Sequence, residues 1–538
     1  MIQRFNIAFA LLFVVVCHSS AQTTPQSQPN APLELPDFLV TGKAVVDIAA
    51  GAKEVPSKMP TFSLQDLDSL NPTEKLPPPL AARRPLPLFS RSVNQVPGYV
   101  QASAGVYLTP SIEAGYSLRT GGYTLDLAGM AEHSNGWVNG SNYTTIQAGL
   151  NSSYVAPDKF LFFGKGLTET DFQVRHESYS LYADTASLRN RASTGLRAGV
   201  TTEAKVGDVS LLGAFAWSRL ALTTSRQAGG AEESALDNSI RADVTASWSK
   251  QDNRSSARAG MQMQSLNGRS YSFFEAAYSS QWNSGPLTYG FGIGPQLAMT
   301  TADETRFGVR ATAVGQVDLN EVLTARMDLT TGMRSSSFAA FVSSNPYVQD
   351  SAIVDHAYDI FDVRASLMYQ PVVATSVVMT LGARVSSREL VWVDGTAARF
   401  LPTFQSVNRL WLSIEAEHAL TSRDHILGDM RLVRATLDSG MSQTYTPGFE
   451  ASVGYERQWL PSLRSILTLQ YIGKRWVDVT NTTSLDGYLD LRIAVDYALN
   501  RSIDLQLRGE NLVDSSVFLW NGYRARGIFV SLGLLWKM

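Results

Sequence analysis

From Gly98 to the carboxyl terminus, apolar side chains recur at every second position in one short segment after another. Ile240, Ala242, Val244, Ala246 and Trp248 alternate with Arg241, Asp243, Thr245 and Ser247. Leu489, Leu491, Ile493, Val495 and Tyr497 alternate with Asp490, Arg492, Ala494 and Asp496. A period of two puts the two sets on opposite faces of a strand. The charges in mid-strand decide what the second face meets. A dry sandwich core does not tolerate them without partners, whereas a water-filled lumen does, with the apolar face turned to lipid. Segments of roughly ten residues, tilted, are long enough to cross a bilayer.

Composition agrees. Hydrophobic residues make up 44% of the chain, yet the mean hydropathy is −0.06, so they are dispersed rather than gathered into greasy helices. The one sustained apolar run, Ile7 to Cys17, is too short for a membrane-spanning helix. It follows Arg4 and precedes Ser19-Ser20-Ala21, so residues 1–21 are expected to be a secretory signal peptide cut after Ala21. Val16 stands where a lipoprotein would have a small residue before its cysteine. Cys17 is the sole cysteine, so the mature chain is expected to have no disulfide, thiolate metal site or thiol nucleophile. A net charge of −3 lacks the basic footprint of a nucleic-acid partner. Residues 22–97 are Pro-rich, with Leu76-Pro77-Pro78-Pro79-Leu80 and Arg84-Pro85-Leu86-Pro87, and are expected to form an extended periplasmic segment.

Connection lengths sharpen the reading. The alternation divides residues 98–538 into about 22 strands, the expected fold being all-β, one transmembrane antiparallel barrel. Every second connection is tight and rich in turn residues, as at Gly121-Gly122, Pro157-Asp158, Gly207-Asp208, Asp252-Asn253 and Asn500-Arg501. The long connections, near 170–189, 219–237, 334–357, 386–406 and 514–526, fall in the other set. Outer-membrane barrels have short periplasmic turns and longer external loops, so both barrel ends belong on the short-turn, periplasmic side. A fifth strand is expected near 159–168. An extra hairpin within 386–406 would raise the count to 24.

The carboxyl-terminal stretch resembles TonB-dependent outer-membrane receptors, whose barrels end with an N-L-x-D sequence, a loop containing G-Y and an aromatic-ended closing strand. Here Glu510-Asn511-Leu512-Val513-Asp514 and Gly522-Tyr523 match the first two parts. Val530, Leu532, Leu534, Trp536 and Met538 resemble the assembly signal read by the barrel insertion machinery, with Met538 in place of the usual phenylalanine. Phe38-Leu39-Val40-Thr41-Gly42 resembles the box by which such receptors engage TonB as an added strand. The family's globular plug has no counterpart of its usual length between Gly42 and Gly98. The resemblance therefore covers the barrel. It implies outer-membrane lipid, the insertion machinery and a ligand as partners, with TonB through the box-like stretch.

Catalytic and metal chemistry find little support. His133, His176, His356, His418 and His425 form no paired ligand spacing, and Asp355-His356 in the 334–357 connection is the one tempting acid–base pair. No cofactor is implied, and the chain is not expected to be an enzyme. Arg241, Asp243, Asp490, Arg492, Asp496, Asp504, Arg508 and Glu510 are candidates for lining the lumen. The expected function is ligand binding and transport across the outer membrane. The alternative is a passive pore or an assembly component not energised by TonB. A barrel of this size cannot fill its lumen with strand side chains, so something must occlude it: the 22–97 segment, with Leu76 to Phe89 across the mouth, or a partner, or loops folding inward.

Overall fold

Strand β1 (Gly98–Gly105) pairs with β2 (Thr109–Thr120) on one side and with the last strand, β26 (Phe529–Lys537), on the other. Tyr99 stands opposite Lys537, and Gly105 opposite Ser531. The sheet of 22 strands is thus closed, which removes the edges that lipid could not satisfy. The structure is a computed structural model that describes residues 97–158, 165–183, 188–226, 232–300 and 304–538. Residues 1–21, the 22–96 stretch and the box-like Phe38, Leu39, Val40, Thr41 and Gly42 lie outside the described residues.

The ring continues through β3 (Tyr123–Ser134), β4 (Tyr143–Val155), β5 (Leu167–Leu181), β6 (Arg189–Val206), β7 (Val209–Arg226) and β8 (Glu233–Lys250). Next come β9 (Asn253–Leu266), β10 (Arg269–Ser284), β11 (Leu287–Met299), β12 (Thr305–Asn320) and β13 (Leu323–Arg334). A short helix, α1 (Phe338–Ser344), precedes β14 (Ala357–Val372), β15 (Thr375–Asp394), β16 (Phe400–Thr421), β17 (Asp424–Leu437), β18 (Phe449–Leu460) and β19 (Leu463–Ile472). The wall ends with β22 (Tyr488–Ala498), β23 (Ile503–Glu510) and β26. Two small hairpins stand outside the ring: β20 (Arg475–Trp476) with β21 (Ser484–Leu485), and β24 (Phe518–Trp520) with β25 (Tyr523–Arg524).

Turn chemistry sets the register. Thr120 pairs with Tyr123, Val206 with Val209 and Ser284 with Leu287, leaving two-residue turns. Gly121, Gly207 and Gly285 have φ of +56°, +60° and +60°, the left-handed conformation that matches hairpin twist. Once register is set, period two does the rest. Val244, Ile293, Leu532 and Leu534 are exposed together on one face, the belt offered to lipid. Exposed Tyr116, Tyr289, Tyr369, Trp459, Tyr497 and Trp536 lie close to short turns, and Tyr154 near the 156–166 connection of the same end, forming an aromatic girdle there.

Two expectations about individual strands need correction. The fifth strand is expected near 159–168, of which 159–164 lie outside the described residues; the strand that pairs with β4 is Leu167–Leu181, so that Val155 faces Leu167 and Tyr143 faces Tyr179. Its weak apolar face, with Thr168, Thr170 and His176 beside Phe172 and Val174, hides its alternation. The 386–406 stretch adds no hairpin. There β15 and β16 simply continue until Asp394 pairs with Phe400, so the count remains 22.

Those long strands position the site. Strands β15 and β16 have 20 and 22 residues, and β6, β7 and β8 have 18 each. Crossing the hydrocarbon layer takes only about 9–11. With tight turns at the other end, the surplus length rises from the membrane on the long-loop side.

Candidate functional site: a crown across the long-loop end

The connections at this end fold inward. A ring of this many strands is roughly 40 Å across, so loops that stayed on the rim could not touch distant walls. Several do touch. The 335–356 connection carries α1, which Ser337 caps by accepting the Ala340 N–H at 3.1 Å, with Phe338 and Phe341 buried beneath it. Past the helix, the chain lies against Arg191 of β6. The Arg191 side chain is fully buried and donates to the carbonyls of Pro346 and Val348, both at 2.8 Å, and to Thr224 Oγ1 at 3.0 Å. Its remaining nitrogen donates to Asp350 Oδ1 at 3.1 Å.

The other Asp350 oxygen accepts from Arg399 at 2.9 Å. Arg399, at the β15–β16 tip, also pairs with Glu233 at the start of β8. Four charged side chains from widely separated parts of the ring therefore meet. Backbone bonds reinforce them: Gln349 donates to the Phe400 carbonyl at 2.8 Å, and Phe400 donates to that of Tyr347 at 3.1 Å.

Aromatic side chains fill the space around this polar core. Tyr347 stacks on Tyr523, whose hydroxyl donates to the Ala398 carbonyl at 2.8 Å. Trp520 packs against Trp392, Phe400 and Tyr445, with centroids 5.7, 5.0 and 4.6 Å away. Trp137 and Tyr182 donate to the Arg524 carbonyl at 2.9 and 2.7 Å, tying the β24–β25 hairpin to the chain after β3 and after β5. Burial raises the Tyr445 hydroxyl well above the tyrosine range, and its 2.7 Å bond to Asp394 adds to the rise. Asn521 donates to the second Asp394 oxygen at 2.7 Å. A cavity of about 330 Å³ opens beside this pair, lined by Asp394, Gly395, Arg399, Phe400, Asn521 and Gly522. An exposed carboxylate, a buried guanidinium and a buried aromatic ring beside one open cavity suit a polar solute rather than a lipid.

A second ionic tier lies where the strands meet the crown. Arg334 bridges Asp359 at 2.7 Å and Glu389, while Arg384 bonds Asp362 at 2.8 Å. Asp355 accepts from Arg306 at 3.0 Å, from Arg388, and from the backbone of the buried His356. Burial alone would raise the Asp355 pKa, but His356, Arg388 and Arg306 together outweigh it and hold the carboxyl below its ordinary range. The tempting Asp355-His356 dipeptide is thus an ion-paired anchor of the connection. Among the described residues, no group of three or more His, Cys, Asp or Glu side chains could hold a metal ion.

The charges singled out in the sequence stand on the face opposite the apolar belt, one pair on β8 and the others on the adjoining β22 and β23. Arg241 donates to Asp243 at 2.8 Å, Arg492 to Asp490 at 2.7 Å, and Arg508 lies 2.8 Å from Asp496. Asp504 pairs with Lys537 at 2.6 Å, and Glu510 accepts from Arg526 at 3.1 Å. Asp490 also accepts the Asn511 N–H at 2.8 Å, which shapes the turn leaving β23. On β26, Leu532, Leu534, Trp536 and Met538 are exposed and Val530 partly so, while Phe529 and Leu535 are buried on the inner face. These pairs do not converge on one site. The convergent residues, Arg191, Asp350, Arg399 and the aromatic set, were missed. Their signal was the apolar content of supposed loops, as in Phe338-Ala339-Ala340-Phe341-Val342 and Phe518-Leu519-Trp520.

The fold has relatives of known structure. The ferric-catecholate import receptor Fiu from E. coli K12 aligns over 82% of this chain and 82% of its own, with TM-score 0.62 and 11% identity. The FrpB iron transporter from Neisseria meningitidis covers 82% and 81%, with TM-score 0.66 and 9% identity. The resemblance to TonB-dependent receptors holds for the barrel. The copper transporter OprC covers 82% and 80%, at TM-score 0.65 and 11% identity. At such identities the likeness is one of fold. No family model matches the chain, and no curated protein matches it by sequence.

Proposed function

We propose that this chain is an outer-membrane barrel, similar to a TonB-dependent receptor, that binds a solute in its crown and passes it inward. The observation that carries this reading is the crown itself: a pocketed set of connections reaching across the mouth of a closed 22-stranded wall. The long-loop end is then external, both barrel ends are periplasmic, and the paired charges on the inner face line a wetted lumen. The neighbours named above are an import receptor for ferric catecholates, an iron transporter and a copper transporter, so metal chelates are the first ligands to try. On this reading Phe38 to Gly42 meet TonB from the periplasm, and Val530 to Met538 are read during insertion.

Uptake of labelled ferric chelates and copper by cells with and without the chain tests the reading. Saturable uptake that stops when the inner membrane is de-energised supports it. Non-saturable leakage indifferent to energy would make the chain a passive pore. Val40→Pro removes a donor from the box-like stretch and should abolish energised uptake. Survival of energised uptake in that variant would remove TonB from the scheme at this stretch.

A further inference from the structure

We infer that the crown is a latched door and that the Asp350 carboxylate is its pin. The side chain is 5% exposed and is shared by Arg191 at 3.1 Å and Arg399 at 2.9 Å, cations carried by separate stretches of the ring. Glu233 joins the set through Arg399 and, at 3.8 Å, through Arg189, which makes three cations and two anions. The 345–350 segment makes one isolated bridge, Val348 to Phe400, instead of a continuous ladder. Besides the Tyr179 hydroxyl, which donates to the Pro346 carbonyl at 2.7 Å, it is Arg191 that holds the segment, gripping the backbone carbonyls of Pro346 and Val348 while its charge is balanced by Asp350.

The energetics of such a set give it the character of a switch. A complete buried ion network adds little net stability over apolar packing, but removing one member leaves buried charges uncompensated. Loss of Asp350 leaves the buried Arg191 without a paired carboxylate and Arg399 with Glu233 alone, and the grip on the segment weakens with it. An apolar plug of equal size would loosen gradually with each truncation. This geometry predicts release as a unit. The inference does not depend on which solute passes.

The test measures access from outside. Thr468, mid-strand in β19, pairs with Arg492 on the charged face of the wall. With Cys17 in the expected signal peptide, Thr468→Cys supplies the single thiol of the mature chain. Intact cells are treated with a polyethylene-glycol maleimide too large to cross porins, and heat-modifiable migration certifies the folded barrel. The thiol should be protected in the otherwise unchanged chain. Asp350→Ala should speed its labelling roughly ten-fold or more, and Arg399→Ala should act in the same direction. Should the alanine variant fail to migrate as a folded barrel, Asp350→Asn, of the same shape without the charge, is read in its place. Rapid labelling without any crown substitution would show that the mouth is open. Unchanged protection in a folded Asp350 variant would show that the carboxylate is no pin. Because the assay uses neither solute nor energy, its failure is separable from failure of the uptake reading.

Discussion

Tyr347 and Tyr523 lie face to face, their ring centroids 3.5 Å apart and their planes 14° from parallel. One ring belongs to the connection after α1 and the other to the β24–β25 hairpin, elements rooted far apart on the wall. The segment of Tyr347 also joins the ionic core: the Tyr347 carbonyl accepts from Phe400, and Pro346 beside it accepts from Arg191.

This stack should be energetically coupled. Tyr523→Ala and Tyr347→Ala are each expected to cost about 3 kcal/mol of local crown stability. A double-mutant cycle should return a coupling of about 1 kcal/mol. Limited proteolysis within 335–356 is the readout, with the barrel itself still heat-modifiable. Strictly additive effects would mean that the two rings act independently.

Face parity on the closing strand can be tested with two substitutions. Leu532 is exposed on the apolar face, and the neighbouring Ser531 pairs with Arg508 on the inner one. Leu532→Arg should cost about 2–4 kcal/mol near mid-membrane and reduce the yield of folded barrel. Ser531→Asp places its charge beside Arg508 and should be tolerated. The reverse ranking of yields would invert the assigned faces.

Gly294 tests a close approach within the wall. A Cβ there would lie 1.7 Å from the Ala276 carbonyl oxygen, a backbone atom that no rotamer change can move. The β10–β11 pairing has a gap at the same place, between Glu275–Gln296 and Tyr278–Ile293, with the register kept on both sides. Gly294→Ala should therefore destabilise the barrel by about 1–3 kcal/mol, as overpacking does. Urea unfolding with an unchanged midpoint would mean that the strands can part without cost.

Acid should loosen the crown late. The folded pKa of Asp355 lies below its unfolded value because the charges of Arg388 and Arg306 and the bonds from His356 outweigh burial. Its contribution is therefore fully present above the unfolded pKa of about 3.9 and is lost as pH falls through the lower, folded value. Proteolytic protection of 335–356 should persist at about pH 5 and fail only well below pH 4. Asp355→Asn should lower protection already at neutral pH. A wild-type loss near pH 5 that vanishes in Asp355→Asn would show that the group titrates high.

The alternation from Gly98 onward, the turn residues and the parity of connection lengths determined a closed antiparallel barrel, because each is a local property with a fixed period. Gly121-Gly122 and Gly207-Asp208 could be read as hairpin turns from their residues alone. The weakly apolar β5 could not be read from its own residues, because pairing with β4 and β6, invisible in one segment, selects the strand. The same reason hid the crown. Arg191, Glu233, Asp350 and Arg399 are unremarkable charges until a ring of 22 strands brings them together. Only ring closure, which turns sequence separation into position around a wall, decided which of the charges would share a buried site.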